Sequence, residues 1–124
     1  MANKKMVLII DDDPDILDSI KVILESGGFT AITAINGKEG IETALEKKPD
    51  LILCDMMMEQ MDSGSKVVEE LKKRNVNFPI FLLSSIGDAT ASNIEIDKLG
   101  FSGLFQKPVN PEQLITTLKK TLGL

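Results

Sequence analysis

The sequence predicts an α/β fold in which a parallel five-stranded sheet carries helices on both faces. Short apolar runs alternate five times with segments whose apolar residues recur at helical spacing. Such alternation favours right-handed crossovers between parallel strands, which place the helices on both sides of the sheet. The 124 residues fit one hydrophobic core. We therefore expect a single three-layer, doubly wound (βα)5 domain over residues 1–124.

Five segments are expected to form the strands of this sheet. Four of them are short apolar runs, the second broken by Thr33, as is typical of parallel strands that are buried on both faces, and the last is less apolar. We expect the strands to lie side by side in the order 2-1-3-4-5. The five segments are Met6–Ile10, Ala31–Ile35, Leu51–Cys54, Ile80–Leu83 and Leu104–Gln106.

The helices are predicted from their capping residues. Asp13 as N-cap, followed by Pro14, begins the first helix, and Gly27 with Gly28 ends it. The fourth helix has the weakest apolar face, because only three of its residues suit a buried position. The later helices are expected over residues 37–48, from Asp62 or Ser63 to Arg74, over residues 88–99, and from Asn110 and Pro111 onward.

Composition excludes several classes of protein. The 14 lysines and arginines against 19 aspartates and glutamates give a net charge of -5, which disfavours direct contact with nucleic acid or an anionic membrane. No apolar run approaches the roughly 20 residues that cross a bilayer, so we expect a cytoplasmic protein. With no histidine, imidazole catalysis and histidine-containing zinc sites are excluded. The single cysteine, Cys54, has apolar neighbours and is expected in the core.

Charged and polar residues come where the predicted strands end. Asp11 and Asp12 follow the first strand, Asp55 the third, Ser84 the fourth and Lys107 the fifth. In doubly wound folds ligands bind beyond the carboxyl ends of the strands, so we expect these side chains at one rim. Neighbouring carboxylates repel unless a cation offsets them, and Mg²⁺ with its oxygen ligands is the most suitable cation. Lysine and hydroxyl groups suit a transferred phosphoryl group, and a remaining carboxylate suits a nucleophile.

These motifs, in this order, resemble the receiver domain of two-component response regulators from Met6 to Leu122. The matching features are the Asp11–Asp12 pair, "PDLILCD" ending at Asp55, "PIFLLSS" with Ser84, and "KP" beginning at Lys107. The resemblance implies a flavodoxin-like arrangement of the sheet. It also implies a phosphoprotein that works in a phosphorelay.

The resemblance assigns roles to individual residues. It implies that Asp55 is the phosphoacceptor, that Ser84 contacts a phosphoryl oxygen, and that Lys107 pairs with the phosphoryl group. It implies Mg²⁺ as the cofactor. The expected metal residues are Asp12 and Asp55 through their carboxylates, Met57 through its backbone carbonyl, and Asp11 through water.

The resemblance also implies the partners. The phosphoryl group is expected from a phosphohistidine on a sensor histidine kinase or a histidine phosphotransfer protein. This chain has no histidine and cannot itself be that donor. Phosphorylation is expected to change affinity for a downstream protein, with no direct contact with nucleic acid or a membrane. We expect no enzyme activity beyond transfer to Asp55 and hydrolysis from it.

Three positions depart from the family pattern. Glu59 stands where a proline is usual, four residues after the phosphoacceptor. Leu104 stands where the family has an aromatic switch residue, three before Lys107. Phe105 comes one position later, and a shift of one residue on a strand turns a side chain to the other face. We therefore expect Phe105 in the core.

Three alternatives use the same residues differently. A receiver-like docking module that is not phosphorylated would be consistent with Glu59 and Leu104. An aspartate-nucleophile phosphatase would use Asp11 and Asp13 and leave Asp55 without a role. A flavodoxin-type binder is opposed by the acidic first loop, because a bound phosphate there needs hydroxyls and backbone amides.

Two apolar positions predict slow self-dephosphorylation. Met57 and Ile86 lie two residues after Asp55 and Ser84, at positions that the family ties to the lifetime of the phosphoryl group. Neither side chain can orient or activate a hydrolytic water by hydrogen bonding, so we expect a persistent acyl phosphate. Following the phosphorylated protein over time by intact mass measures this lifetime. Decay within seconds would contradict the prediction.

Overall fold

The computed structural model describes residues 4–55, 73, 78–85, 102–107 and 109–124. From the N-terminus to residue 55, strands and helices alternate as the sequence predicts. The elements are β1 (Met6–Ile10), α1 (Pro14–Ser26), β2 (Thr30–Ala34), α2 (Gly37–Lys47), β3 (Leu51–Asp55), β4 (Ile80–Ser85), β5 (Gly103–Lys107) and α3 (Pro111–Thr121).

The five strands form one parallel sheet in the order β2-β1-β3-β4-β5. The predicted fold class and strand order are therefore confirmed. Most strand bounds agree with the prediction to within one residue. The last two strands run further than predicted, so that Ser84 lies inside β4 and Lys107 is the last residue of β5.

The sheet separates two hydrophobic layers, because successive side chains of a strand point to opposite faces. On one face, which we call the α2 face, Leu8, Ile52 and Leu82 pack with Ala44 of α2. On the other face, which we call the α1/α3 face, residues one position along the strands pack with α1 and α3. The α1/α3 face contains Val7, Ile9, Leu51, Leu53, Leu83, Leu17, Ile20, Leu24, Leu114 and Leu118.

The second strand corrects one expectation. The sequence predicted a strand buried on both faces over Ala31–Ile35, whereas β2 is half-buried along most of its length and Thr33 is exposed. Ile35 falls outside the strand and is 55% exposed. The reason is position in the sheet, since β2 is an edge strand with only β1 beside it.

Short polar side chains cap the described helices as predicted. Asp13 accepts a hydrogen bond from the backbone N–H of Asp15 and begins α1, and Asn110 caps α3 in the same way. Gly27 ends α1. Of the predicted third helix only Lys73 is described, and it is helical; the predicted fourth helix lies outside the described residues. No described helix combines the length and apolar character needed to cross a membrane.

Gly40 allows α2 to lie close against β1. A β-carbon built on Gly40 would collide with the Cδ1 of Ile10 and lie 2.8 Å from its Cγ1. Ile10 is fully buried in a central strand, so its side chain has little room to move away. The contact explains why a glycine stands at a helical position where alanine would favour the helix.

We predict that Gly40→Ala lowers the free energy of unfolding by about 1 kcal/mol, because overpacking costs about 1–3 kcal/mol against a gain of about 1 kcal/mol in helix propensity. Ile10→Val removes Cδ1, so Gly40→Ala should cost less in that background. Urea unfolding of the two single variants and the double variant measures this coupling. An equal effect of Gly40→Ala in both backgrounds would contradict the contact.

Candidate functional site

Asp11 lies directly beyond β1, where hydrogen bonds fix both its backbone and its side chain. Its backbone N–H donates to the carbonyl of Ala34 over 3.1 Å. Its Oδ1 accepts from the backbone N–H of Asp13 over 2.9 Å. The side chain is completely buried. A buried carboxylate in this position requires partners for its charge.

Two further carboxylates lie beside Asp11. Asp55 is the last residue of β3 and is buried, whereas Asp12 is exposed. One oxygen from each of the three carboxylates lies within 4.8 Å of the others. We call Asp11, Asp12 and Asp55 the acidic cluster. Its ligand atoms are all hard oxygens, which suits a divalent cation such as Mg²⁺ rather than a metal that prefers nitrogen or sulfur ligands.

Lys107 reaches the acidic cluster from β5. Its Nζ donates a hydrogen bond to Oδ2 of Asp11 over 2.8 Å and lies 3.3 Å from Oδ1 of Asp55. The lysine side chain is 14% exposed. β3 and β4 lie between β5 and β1 in the sheet, so this side chain connects the outer strand with the centre.

The environment of Lys107 favours its charged form. Burial opposes the charge and would lower the pKa of the ammonium, but the hydrogen bond to Asp11 and the charges of Asp55 and Asp11 outweigh it. The pKa of Lys107 therefore lies above its usual value of 10.5. At neutral pH the site contains a lysine cation among aspartates.

Ser84 reaches the same edge of the sheet from β4. It is 2% exposed and follows Leu83, whose register partner on β3 is Asp55. By strand alternation Ser84 continues the row of Leu82 on the α2 face, whereas Lys107 continues the row of Phe105 on the other face. The serine and the lysine therefore approach the edge of the sheet from opposite faces.

Of the positions that the family pattern singles out, the structure describes Leu104 and Phe105. Phe105 is buried on the α1/α3 face, its ring centroid 5.2 Å from that of Phe81, which confirms its place in the core. Leu104 lies partly buried on the α2 face. Met57, Glu59 and Ile86 lie outside the described residues, so the expectations about them stay predictions.

Cys54 is a core residue beside the site, as expected. It is fully buried on the α2 face. Burial raises the pKa of its thiol far above the usual value of 9.0, and the nearby charges of Asp55 and Asp11 act in the same direction. The thiol therefore stays protonated and unreactive in the folded protein.

Sequence reasoning missed the pairing of Lys107 with Asp11. The sequence predicts the lysine beside a transferred phosphoryl group and predicts a metal ion as the cation that offsets repulsion among the carboxylates. The structure shows that the chain's own ammonium already offsets part of that charge. The position of Lys107 could have indicated this pairing, since a cation at the end of another strand of the same sheet can reach the same carboxylates.

Comparison with known proteins identifies this arrangement. The chain matches the model of the response regulator receiver domain over residues 7–119. The chain belongs to this family. The receiver domain is 34% identical, over 125 aligned residues, to the alkaline phosphatase synthesis transcriptional regulatory protein PhoP of Bacillus subtilis, covering 97% of this chain and 49% of that relative.

Two other proteins resemble this chain. The chain is 36% identical, over 115 residues, to hybrid signal transduction histidine kinase D of Dictyostelium discoideum, covering 91% of this chain and 7% of the relative. The structure of the receiver domain of Francisella response regulator 1452 is 32% identical with a TM-score of 0.84, covering 97% of this chain and 98% of that one. This chain spans about half, 49%, of the length of PhoP.

We predict that Lys107→Met lowers the free energy of unfolding at neutral pH by about 2 kcal/mol in the presence of EDTA, because two buried carboxylates lose a charged partner. The exposed Lys119→Met is the matched control and should change stability little. Urea unfolding of the three proteins measures the difference. Equal stability of the Lys107→Met variant and the wild type would contradict the described ion pairs.

The same variant has a defined pH dependence. Because the pKa of Lys107 is raised in the folded state, its contribution to stability is complete below 10.5 and is lost as the pH rises through the folded-state pKa. The stability difference between wild type and Lys107→Met should therefore be constant near neutral pH and shrink in alkali. Urea midpoints measured as a function of pH test this; a difference that grows in alkali has the wrong sign.

Cys54 gives a separate alkaline prediction. Its thiol is held protonated in the folded state, so the unfolded state ionises first and stability should fall as the pH rises above 9.0. Cys54→Ala should flatten this slope, although it loses some packing. Iodoacetamide should label the wild-type thiol only after unfolding in urea. Rapid labelling of the folded protein would show that the thiol is accessible.

Proposed function

We propose that this receiver domain accepts a phosphoryl group on Asp55 from a phosphohistidine and thereby changes its affinity for a downstream protein. The observation that carries the proposal is the position of Lys107, with its ammonium 3.3 Å from Asp55 inside the acidic cluster. A carboxylate acceptor, a fixed cation and oxygen ligands for a metal at one edge are the parts that phosphoryl transfer requires. The donor would be a sensor histidine kinase or a histidine phosphotransfer protein.

The transfer itself needs little covalent chemistry from the protein. A carboxylate oxygen of Asp55 forms a bond to phosphorus while the bond from phosphorus to the donor's imidazole nitrogen breaks, and the electron pair of that bond stays on the nitrogen. The products are an acyl phosphate on Asp55 and a dephosphorylated histidine. Lys107 stabilises the negative charge on the phosphoryl oxygens, and it is already held at the acceptor before the reaction.

The acidic cluster fits a bound Mg²⁺. Asp12 and Asp55 would hold the ion directly, Asp11 through water, and the backbone carbonyl of Met57 would add a ligand from outside the described residues. When bound, the ion supplies neutralisation of negative charge on the carboxylates and on the phosphoryl group. Exposure of Asp12 gives solvent access to one side of the cluster.

The output of the domain follows from the added charge. An acyl phosphate brings about -1.5 to -2 units of charge and three acceptor oxygens to the edge of the sheet. Ser84 and Lys107, on neighbouring strands, would be drawn to these oxygens. Movement there would alter the surface that a partner recognises. The name of the Bacillus relative describes a transcriptional regulator, so a downstream protein or domain that acts on transcription is one candidate partner.

The hydrogen bonds of Asp11 support this function over a phosphatase that uses Asp11 as nucleophile. Oδ1 of Asp11 accepts from the Asp13 backbone and Oδ2 accepts from Lys107, so both oxygens are occupied in a fully buried side chain. Asp13 caps α1. We therefore propose that the chain does not turn over a small-molecule substrate and acts only on its own Asp55.

Phosphorylation by acetyl phosphate tests the proposal. We expect the wild type to gain the mass of one phosphoryl group with Mg²⁺ and not with EDTA, and Asp55→Asn to gain none. Asp13→Asn is the matched control, since asparagine caps a helix as well as aspartate and the modification should persist. Intact mass measurement followed by peptide mapping locates the group. A phosphoryl group retained in Asp55→Asn and lost in Asp11→Asn would favour the phosphatase.

A further inference from the structure

Pairs of lysines occur at the edge of the sheet that lies opposite the acidic cluster. A helix between two parallel strands runs back from the carboxyl end of one strand to the amino end of the next, so helix ends and strand starts share an edge. We call it the amino edge. Its lysines are Lys4 and Lys5 before β1, Lys47 and Lys48 at the end of α2, and Lys119 and Lys120 at the end of α3. The sheet and both helical layers therefore each contribute one pair.

Contacts along the chain show that the three pairs belong to one edge. Met6, directly after the first pair, donates its backbone N–H to Oδ2 of Asp50 over 2.8 Å, and its carbonyl accepts from the backbone N–H of Asp50 over 2.8 Å. Asp50 comes two residues after the pair of α2. Gly27, which ends α1, lies against Ile115 of α3, so the later residues of α3 extend to the edge where α1 ends.

These lysines are accessible, and most of them lack a carboxylate partner. Lys5 is half-buried and the other five are exposed. Among the residues that the structure describes, only Lys47 of this set forms an ion pair, with the exposed Glu46 at 3.8 Å. The carboxylate of Asp50, at the same edge, accepts from the backbone of Met6. In a chain of net charge -5, the amino edge is thus a local concentration of positive charge.

Compensation of helix dipoles explains only part of this arrangement. Lysines in the last turn of α2 and α3 interact favourably with the carbonyl ends of those helices. Lys4 and Lys5 precede a strand, where no such dipole acts, and α1 ends with no basic residue in its last turn. The charge of the amino edge therefore follows the edge itself and not the helix ends alone.

We propose that the amino edge is a docking surface for an acidic segment of a partner protein, and that it binds this segment in both states of Asp55. Opposite charges across an interface attract a partner and fix its orientation. The inference does not rest on the proposed function, because it needs neither a metal ion nor a phosphoryl group.

An exposed leucine at the amino edge favours a protein segment over a nucleic acid. Leu124 is 63% exposed, and its backbone N–H donates to the carbonyl of Lys119 over 2.8 Å, which holds it beside the third pair. A segment that mixes carboxylates with apolar side chains would cover both the lysines and the leucine. The closely spaced phosphates of a nucleic acid would instead face the exposed carboxylates of Glu25 and Glu46 near the same edge.

Distance separates this surface electrically from the acidic cluster. β1 is five residues long, so about 16 Å lie between the amino edge and the acidic cluster at roughly 3.3 Å per residue. Charges in solution are screened within about 8 Å at physiological ionic strength. A change of charge at Asp55 therefore has little effect at the amino edge. A partner docked there would stay bound while the opposite edge gains or loses its phosphoryl group.

Fluorescence anisotropy with a labelled peptide of four Glu-Glu-Leu repeats tests the proposal. We expect saturable binding to the purified chain that weakens as salt is raised. Replacing both lysines of any one pair by glutamine, for example Lys119→Gln with Lys120→Gln, should weaken binding about fivefold, because exposed ion pairs contribute modestly. Lys21→Gln with Lys38→Gln is the matched control: it removes the same charge from exposed positions away from the amino edge and should bind as the wild type.

Further probes decide between the possible occupants of the surface. A peptide of four Gln-Gln-Leu repeats should not bind, and a DNA duplex or phosphatidylserine vesicles should bind more weakly than the acidic peptide. Tighter binding of DNA or vesicles, equal binding of the neutral peptide, or equal loss in the control variant would overturn the proposal.

The same assay tests independence from the phosphoacceptor. Asp55→Asn, and wild type treated with acetyl phosphate at matched Mg²⁺ and ionic strength, should bind the acidic peptide as the untreated wild type does. A marked change in affinity in either case would overturn binding in both states. Absence of saturable binding by the wild type would overturn the docking surface itself.

Discussion

The ion pairs of Lys107 with Asp11 and Asp55 are the interaction on which the site depends. Two buried carboxylates at the edge of a sheet repel each other and are poorly solvated, so the folded chain must supply positive charge to them. Lys107 does so from the outer strand, across two intervening strands. The site and the sheet are therefore coupled, because the lysine reaches both carboxylates only when β1, β3 and β5 are in register.

The two apolar layers fix the strands that carry the charged residues of the site. β1 and β3 are central and bury side chains on both faces, so the positions beyond their carboxyl ends are fixed on both sides. Asp11 is fixed further by its bonds to Ala34 and Asp13. Such a support holds the carboxylates of Asp11 and Asp55 in place before a ligand arrives.

The two faces of the sheet contribute different groups to the site. Lys107 and Asp55 extend the rows of the α1/α3 face, whereas Ser84 extends the row of Leu82 and Leu104 on the α2 face. A group bound at the edge of the sheet therefore lies between both layers.

The sequence by itself determined the features that depend on near neighbours. Apolar runs placed all five strands, and the capping residues Asp13 and Asn110 placed the starts of two helices, because these signals act within a few residues. The apolar runs also located the carboxylates, the serine and the lysine of the site, because these residues come where the runs end. The position of Phe105 in the core was predicted because successive side chains of a strand point to opposite faces of the sheet.

Only the tertiary structure decided which charges meet. Asp11 and Lys107 are 96 residues apart, and their contact depends on strand order, register and the length of a lysine side chain together. The half-exposure of β2 was likewise decided by its place at the edge of the sheet, where only β1 lies beside it. A local sequence pattern indicates which residues can be buried or paired. Which partner a residue meets across the sheet depends on how distant strands come together.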